Sequence, residues 1–283
     1  MINNILTIDV EHLHHRLAYS EECIKKNKKF PNSAFKSVQK IIWFLKKYNH
    51  TATFFVIGEI LEEEPDLAKL IVESGNEIAN HTYRHKELNF FKNKDEFEVD
   101  LRKTDSLIKK ITGSTVVGFR APKWSLKKDM GWVLELLKKL GYLYDASIYP
   151  SNGYGYGLKN SPIRPYNPSS SNILEHDNHS NFFEFPTLIF PLGSFRVPIK
   201  LRHFGRRIYS LAISRLNSCG IPATLTLHSW ELSTLDPDFL SLGSTGKNLL
   251  RNFRIPCMDS LEILLRDYNF ISIRDYISAN KVN

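Results

Sequence analysis

With 283 residues, 42% of them hydrophobic and 12% aromatic, the chain holds enough apolar material for a substantial core, and its length suits one large α/β barrel or two modest domains. No stretch approaches the roughly 18 apolar residues of a spanning helix, which excludes a transmembrane segment from the reading. The net charge of +8 would suit an anionic partner, but much of the excess falls on ordinary helix faces (Lys46, Lys47, Lys109, Lys110, Lys138, Lys139) without a nucleic-acid-binding motif, so nucleic acid is not an expected partner.

The chain opens on "MINNILTIDV", which has no basic start, no apolar stretch of signal length and no small-residue cleavage site, and reads as a strand; a cytoplasmic protein is the expectation. Next, Phe35, Val38, Ile41, Ile42 and Leu45 recur at helical spacing after a Ser33 cap. Further helices are predicted at 65–74 with Pro65 in the first turn, at 94–112 stopped by Gly113, at 126–140 between Ser125 and Gly141, and at 204–218 and 257–268. Between them lie β-rich segments: "TATFFVIGE", "NEIANHT", "TVVGFRAP", "YLYDASIYP", "FFEFPTLIF", "ATLTLHSWE" and "FISIRD". The alternation implies about seven parallel strands with helical crossovers, hence a distorted, TIM-like (β/α) barrel; an open doubly wound sheet is the runner-up. The stretch 151–180, rich in Gly, Asn, Ser and Pro, reads as a long loop inserted in a single domain spanning 1–283. Cys23, Cys219 and Cys257 are odd in number and far apart, as expected of core thiols in a reducing compartment.

In barrels of this kind catalytic groups come from the C-terminal ends of several strands. Those ends carry Asp9 and Glu11, then His81 and His85, Arg120, Asp145 and His228, a full set of acid, base and metal-ligand types. Two imidazoles four apart on a helical turn lie about 5–6 Å apart, so with a carboxylate from a neighbouring strand they form a two-His, one-carboxylate face for one metal ion.

Five motifs in chain order carry a resemblance. "TIDVE", "HTYRH", "FRAPKWS", "YDASIYP" and "LTLHSWE" resemble those of the polysaccharide deacetylase family, the NodB-homology carbohydrate esterases. The region from "FEFPTLIF" to "LTLHSWEL" further resembles the branch found in exopolysaccharide and exosortase-linked gene clusters. The resemblance implies a NodB-type barrel that uses a divalent metal, with zinc first and cobalt, nickel or iron as alternatives, to hydrolyse an N-acetyl group on an amino sugar or lipid-linked saccharide. It implies His81, His85 and Glu11 as ligands, Asp9 as general base oriented by Arg120, and His228 as general acid whose pKa is raised by Asp145. Trp124, Tyr149 and Trp230 sit beside these motifs as candidate sugar-stacking residues.

In one respect the chain departs from the pattern: Val10 stands where most members carry a second aspartate. Alternate strand residues face the same side, so Asp9 and Glu11 are expected to point together, and His12, His14 and His15 are further candidates to replace the missing ligand. The basic stretch "KLRHFGRRIYSLAISRL" reads as an amphipathic helix, with Ile208, Leu211, Ala212 and Leu216 opposite Arg206, Arg207 and Arg215. It is expected to pack on the barrel, peripheral contact with a membrane or a lipid-phosphate carrier being the other reading. Rival functions are a deformylase, a metal-free cyclic-amide hydrolase of the same fold and a non-catalytic carbohydrate-binding protein. Oligomeric state is not legible.

Overall fold

The computed structural model describes residues 2–12, 15, 33–151, 157–193, 195–232 and 257–280; Cys23, His14 and part of the expected 151–180 loop lie outside them. The order is β1 (Asn4–Val10), α1 (Ser33–Tyr48), β2 (Thr53–Val56), α2 (Gly58–Glu63), α3 (Pro65–Glu73), β3 (Glu77–Asn80), α4 (Lys94–Thr112), β4 (Gly118–Phe119), α5 (Gly131–Lys139), β5 (Tyr144–Asp145) and β6 (Phe183–Glu184). There follow β7 (Ile189–Leu192), β8 (Phe195–Pro198), α6 (Leu201–Ser218), β9 (Thr224–His228), α7 (Cys257–Asp267), β10 (Phe270–Ile271) and α8 (Ile273–Asn280).

Seven strands run parallel in the order β9-β1-β2-β3-β4-β5-β6 and curl into a half-barrel, with β10 beside the start of β1. All seven residues of β1 are buried, because helices cover one face and the barrel interior fills the other. Its register aligns Asp9 with Phe55 of β2 and with His228 of β9, so these strands end level. On the far side Asn80 aligns with Phe119, Phe119 with Asp145 and Asp145 with Glu184. The open side is drawn together where the Leu188 N–H donates to the Thr224 carbonyl at 2.8 Å.

Local chemistry explains several boundaries. Asn93 caps α4 by accepting the Glu96 N–H at 2.9 Å, and Gly113 closes it in the left-handed region at φ 74°. Helix α5 starts at Gly131, five residues later than expected, and a Cβ there would meet the Ser170 carbonyl oxygen at 1.8 Å. "FFEFPTLIF" divides around Pro186, which lacks an N–H for a ladder; β6 stays in the barrel while β7 pairs antiparallel with β8 as a separate hairpin. Helix α6 packs on that hairpin and on α7, burying Tyr209, Ala212, Ile213 and Leu216. Leu211, expected on its packing face, is 53% exposed: the buried stripe runs Tyr209, Ala212, Ile213 and Leu216 at i, i+3, i+4 and i+7, which turns Leu211 off that face.

Candidate active site

Strand β1 delivers two acids. Asp9 and Glu11 both line one pocket, whereas Val10 between them is buried in the apolar core, as the period of a strand requires. Glu11 is held by its backbone: its N–H donates to Ser229 Oγ at 3.1 Å, and that hydroxyl donates to the Glu11 carbonyl at 2.8 Å. Arg120 Nη1 donates to Asp9 Oδ1 at 2.5 Å. The guanidinium is fixed by donating to the Ala146 carbonyl at 2.9 Å and Thr7 Oγ1 at 3.0 Å, and it lies 4.1 Å over the Phe55 ring. Burial raises the Asp9 pKa; the Arg120 guanidinium, by its charge and its hydrogen bond, leads the opposing effects that outweigh burial and hold the carboxyl below its usual range. Asp9 is therefore ionised at neutral pH.

His81 and His85 follow β3, but the segment between them is not a helical turn as the spacing suggested. Thr82 and His85 take left-handed backbone at φ 62° and 56°. The loop is pinned instead: the Thr82 N–H donates to Asn80 Oδ1, the Tyr83 N–H to Asp100 Oδ1, and the Thr82 and Tyr83 carbonyls accept from the N–H groups of Gly58 and Glu59. The two rings still meet, with centroids 5.1 Å apart. His81 Nδ1 lies 2.7 Å from the Arg120 carbonyl, which only accepts, so Nδ1 carries the hydrogen and Nε2 presents a lone pair. Burial lowers the His81 pKa to about 4 and that of His85 well below its ordinary value, so both are neutral. Nearby, His12 and His15 are buried with stacked rings, and the His15 ring lies 6.1 Å from that of His85.

His228 Nε2 faces Asp9 Oδ2 at 3.8 Å and Glu11 Oε1 at 3.5 Å. Its other nitrogen, Nδ1, faces Glu231 Oε2 at 3.5 Å. This corrects the role expected of Asp145: among the described residues the carboxylates within ion-pair reach of His228 are Asp9, Glu11 and Glu231. Asp145 instead accepts from Ser147 Oγ at 2.5 Å and adjoins Glu184, its register partner on β6. Burial raises the Asp145 pKa to about 6, and burial together with Asp145 raises Glu184 well above the carboxylate range, so this pair holds a proton. Glu231 is buried too, but His228 and Arg202 outweigh burial and lower it to about 2. Arg202 Nη1 donates to Glu231 Oε1 at 2.5 Å and lies 4.8 Å over the Trp230 ring, which itself stacks on His228 at 5.0 Å. Sequence reasoning missed Glu231 and Arg202; an acid three residues past His228 in "HSWE" was the available signal for the first.

The pocket, about 250 Å³, is lined by Asp9, Glu11, His85, Lys123, Trp124, Lys200, Arg202, His228 and Trp230. Trp124 and Trp230 thus border the reacting groups. Tyr149 is buried behind Trp124 with ring centroids 5.2 Å apart, and lines a smaller cavity, shared with His228, rather than the main pocket. Lys123 and Trp124 are both left-handed, at φ 52° and 50°, a conformation that costs non-glycine residues about 1 kcal/mol or more each.

Two groups of three among the described residues bring candidate donor atoms within 4.8 Å of one another: Glu11, His81 and His85, and Asp9, Glu11 and His228. The first fits a divalent cation better. His81 Nε2 is buried without a hydrogen-bond partner, an expensive state for a bare imidazole nitrogen, and the Arg120 carbonyl orients it as outer partners of ligating histidines do. Two neutral imidazoles and a carboxylate are a donor set suited to zinc and its neighbours.

Comparison with known proteins adds names to this geometry. Residues 31–144 match a family model described as polysaccharide deacetylase, and residues 146–278 match one described as a domain of unknown function, DUF3473. A peptidoglycan deacetylase of Helicobacter pylori is 34% identical over 111 residues, covering 39% of this chain and 36% of its own. A peptidoglycan-N-acetylglucosamine deacetylase of Bacillus cereus is 35% identical over 97 residues, covering 34% of this chain and 35% of its own. The chain thus spans about a third of the length of these curated relatives. A crystal structure of a candidate polysaccharide deacetylase from Mycobacterium smegmatis superposes with a TM-score of 0.60 at 19% identity, covering 93% of this chain and 89% of that one, and shares the NodB-type fold.

Proposed function

Since residues 31–144 match the polysaccharide deacetylases, we propose that this chain is a metal-dependent hydrolase that removes the N-acetyl group of an amino sugar in a polysaccharide or its precursor, releasing acetate and a free amine. The carrying observation is that an ionised buried carboxylate, a two-histidine, one-carboxylate donor set and a second-side imidazole converge on one pocket. Glu11, His81 and His85 would hold a divalent cation, zinc in the first instance with cobalt, nickel or iron as alternatives, which when bound would polarise a carbonyl and bring the pKa of water from about 15.7 towards roughly 7.

The chain's own groups do the rest. Asp9, kept ionised by Arg120, takes the proton of the attacking water. His228 stands opposite, with its backbone N–H donating to Glu231 Oε2 at 3.3 Å, Nδ1 facing that carboxylate at 3.5 Å and Nε2 turned to the reacting centre, and delivers a proton to the leaving nitrogen. Trp124 and Trp230 offer apolar faces to a sugar ring and an acetyl methyl. The pocket is smaller than the roughly 300–1,000 Å³ of typical ligand clefts, so one sugar residue enters while the remainder of a chain or a lipid-linked carrier stays outside. A cytoplasmic precursor of surface polysaccharide is the substrate in keeping with the branch that the region 183–232 resembles; Cys257 is buried as expected of a core thiol, whereas Cys219 is exposed.

Elemental mass spectrometry of the purified chain and of His81→Ala and Asp9→Asn, each checked for folding, tests the reading together with acetate release from N-acetyl amino-sugar oligosaccharides. About one transition metal per chain is expected in the wild type and in Asp9→Asn, and loss of metal in His81→Ala. Turnover should fall roughly 100-fold or more in Asp9→Asn. No metal after reconstitution, or unchanged turnover in Asp9→Asn, sinks the mechanism.

A further inference from the structure

The distribution of charge along the chain is uneven where β7, β8 and α6 lie. Between Glu184 and Glu231 there is no acidic residue, while Arg196, Lys200, Arg202, Arg206, Arg207 and Arg215 supply six cations. Arg202 is buried against an acid, Glu231; Arg206, Arg207 and Arg215 are exposed on α6. Four of the seven large apolar side chains exposed among the described residues belong to the same elements: Leu192 at 53%, Phe195 at 72%, Phe204 at 40% and Leu211 at 53%. Leu192 and Phe195 are direct cross-strand neighbours at the end of the hairpin, and α6 packs on β7, so the two sets are carried by one substructure.

We infer that this hairpin and helix dock the protein on an anionic lipid surface, with Leu192 and Phe195 entering the headgroup boundary and Arg206 and Arg207 meeting lipid phosphates. The combination decides the occupant. Cations alone fit any polyanion, but exposed leucine and phenylalanine together gain most by leaving water for an acyl boundary. Anionic headgroups complement a stretch that carries six cations and no acid of its own. Lys200 and Arg202 of the same stretch line the pocket, so the docked surface adjoins the pocket's entrance. The inference goes beyond the proposed hydrolysis and stands apart from it.

The test is co-sedimentation of the full chain with phosphatidylcholine vesicles and with vesicles containing added phosphatidylglycerol. Binding is expected to the anionic vesicles alone and to weaken as salt is raised. The pairs Leu192→Ser/Phe195→Ser and Arg206→Glu/Arg207→Glu should each weaken partitioning roughly tenfold or more with unchanged circular dichroism. Acetate release from a soluble oligosaccharide should be unaltered by either pair; absence of acetate release in every protein would count against the hydrolase and leave the vesicle result readable. No binding of wild type overturns the inference. So does binding that survives Leu192→Ser/Phe195→Ser and is matched by retention on heparin, which would identify an adsorbing polycation.

Discussion

Glu231 holds His228 from behind: one oxygen faces Nδ1 at 3.5 Å, the other accepts from Arg202 at 2.5 Å, and Trp230 stacks on the imidazole between them. Removing the charge while keeping the shape isolates that role. Glu231→Gln should lower kcat about 10–100-fold with KM within about twofold, and Glu231→Asp should recover part of the loss, because positioning a proton donor acts on the transition state more than on binding. Equal kinetics in all three proteins would remove Glu231 from the mechanism. The residues that were legible in the sequence, Asp9, Glu11, His81, His85, Arg120 and His228, lie at or just past the ends of apolar strands, and strand ends converge in a barrel. Glu231 and Arg202 were not legible as partners, since one lies in a 3₁₀ turn after β9 and the other begins α6. Asp145 was placed correctly at a strand end, but its strand neighbour Glu184 decides what it contacts, and that pairing follows from register.

At the scale of elements, β5 and β6 bring two carboxyls together inside the barrel. Both pKa values are raised, so their contribution to stability is full below the unfolded value of about 4 and is lost as pH rises through about 6 for Asp145, and later for Glu184. Glu184→Gln leaves an amide that can donate to Asp145 and needs no proton. Thermal unfolding at pH 5.5 and pH 8 should show a smaller drop in Tm for the variant, by roughly 2–4 °C for each kcal/mol of repulsion relieved. Parallel pH slopes for the two proteins would refute the shared proton. Element types were readable from periodicity, whereas their lengths were not. "TVVGFRAP" yields only Gly118–Phe119 as strand, and a Cβ at Gly118 would fall 2.0 Å from the Tyr144 ring, a tertiary contact no local pattern reveals. The short α2 and the β7–β8 hairpin were hidden for the same reason, the first by its six-residue length and the second by Pro186 within one apolar run.

For the whole molecule, β1 is the common member: β2 and β9 pair along its two edges, and β10 meets its start. The segment matched to the deacetylase family, 31–144, contains His81, His85 and Arg120 but neither Asp9 and Glu11 nor His228. A fragment of residues 1–180 lacks β6 and β9, so one edge of β1 is left open. It should show no cooperative thermal transition by circular dichroism; a sharp transition near that of the full chain would mean that β9 is dispensable to the barrel. The interlocking of Glu11 with Ser229 spans 218 residues of chain. At synthesis rates of about 5–20 residues per second, the first acids emerge from the ribosome on the order of ten seconds or more before the imidazole that works with them. The nascent chain therefore carries the two acids without their imidazole partner through most of its synthesis, and the constellation is completed late, when β9 pairs beside β1.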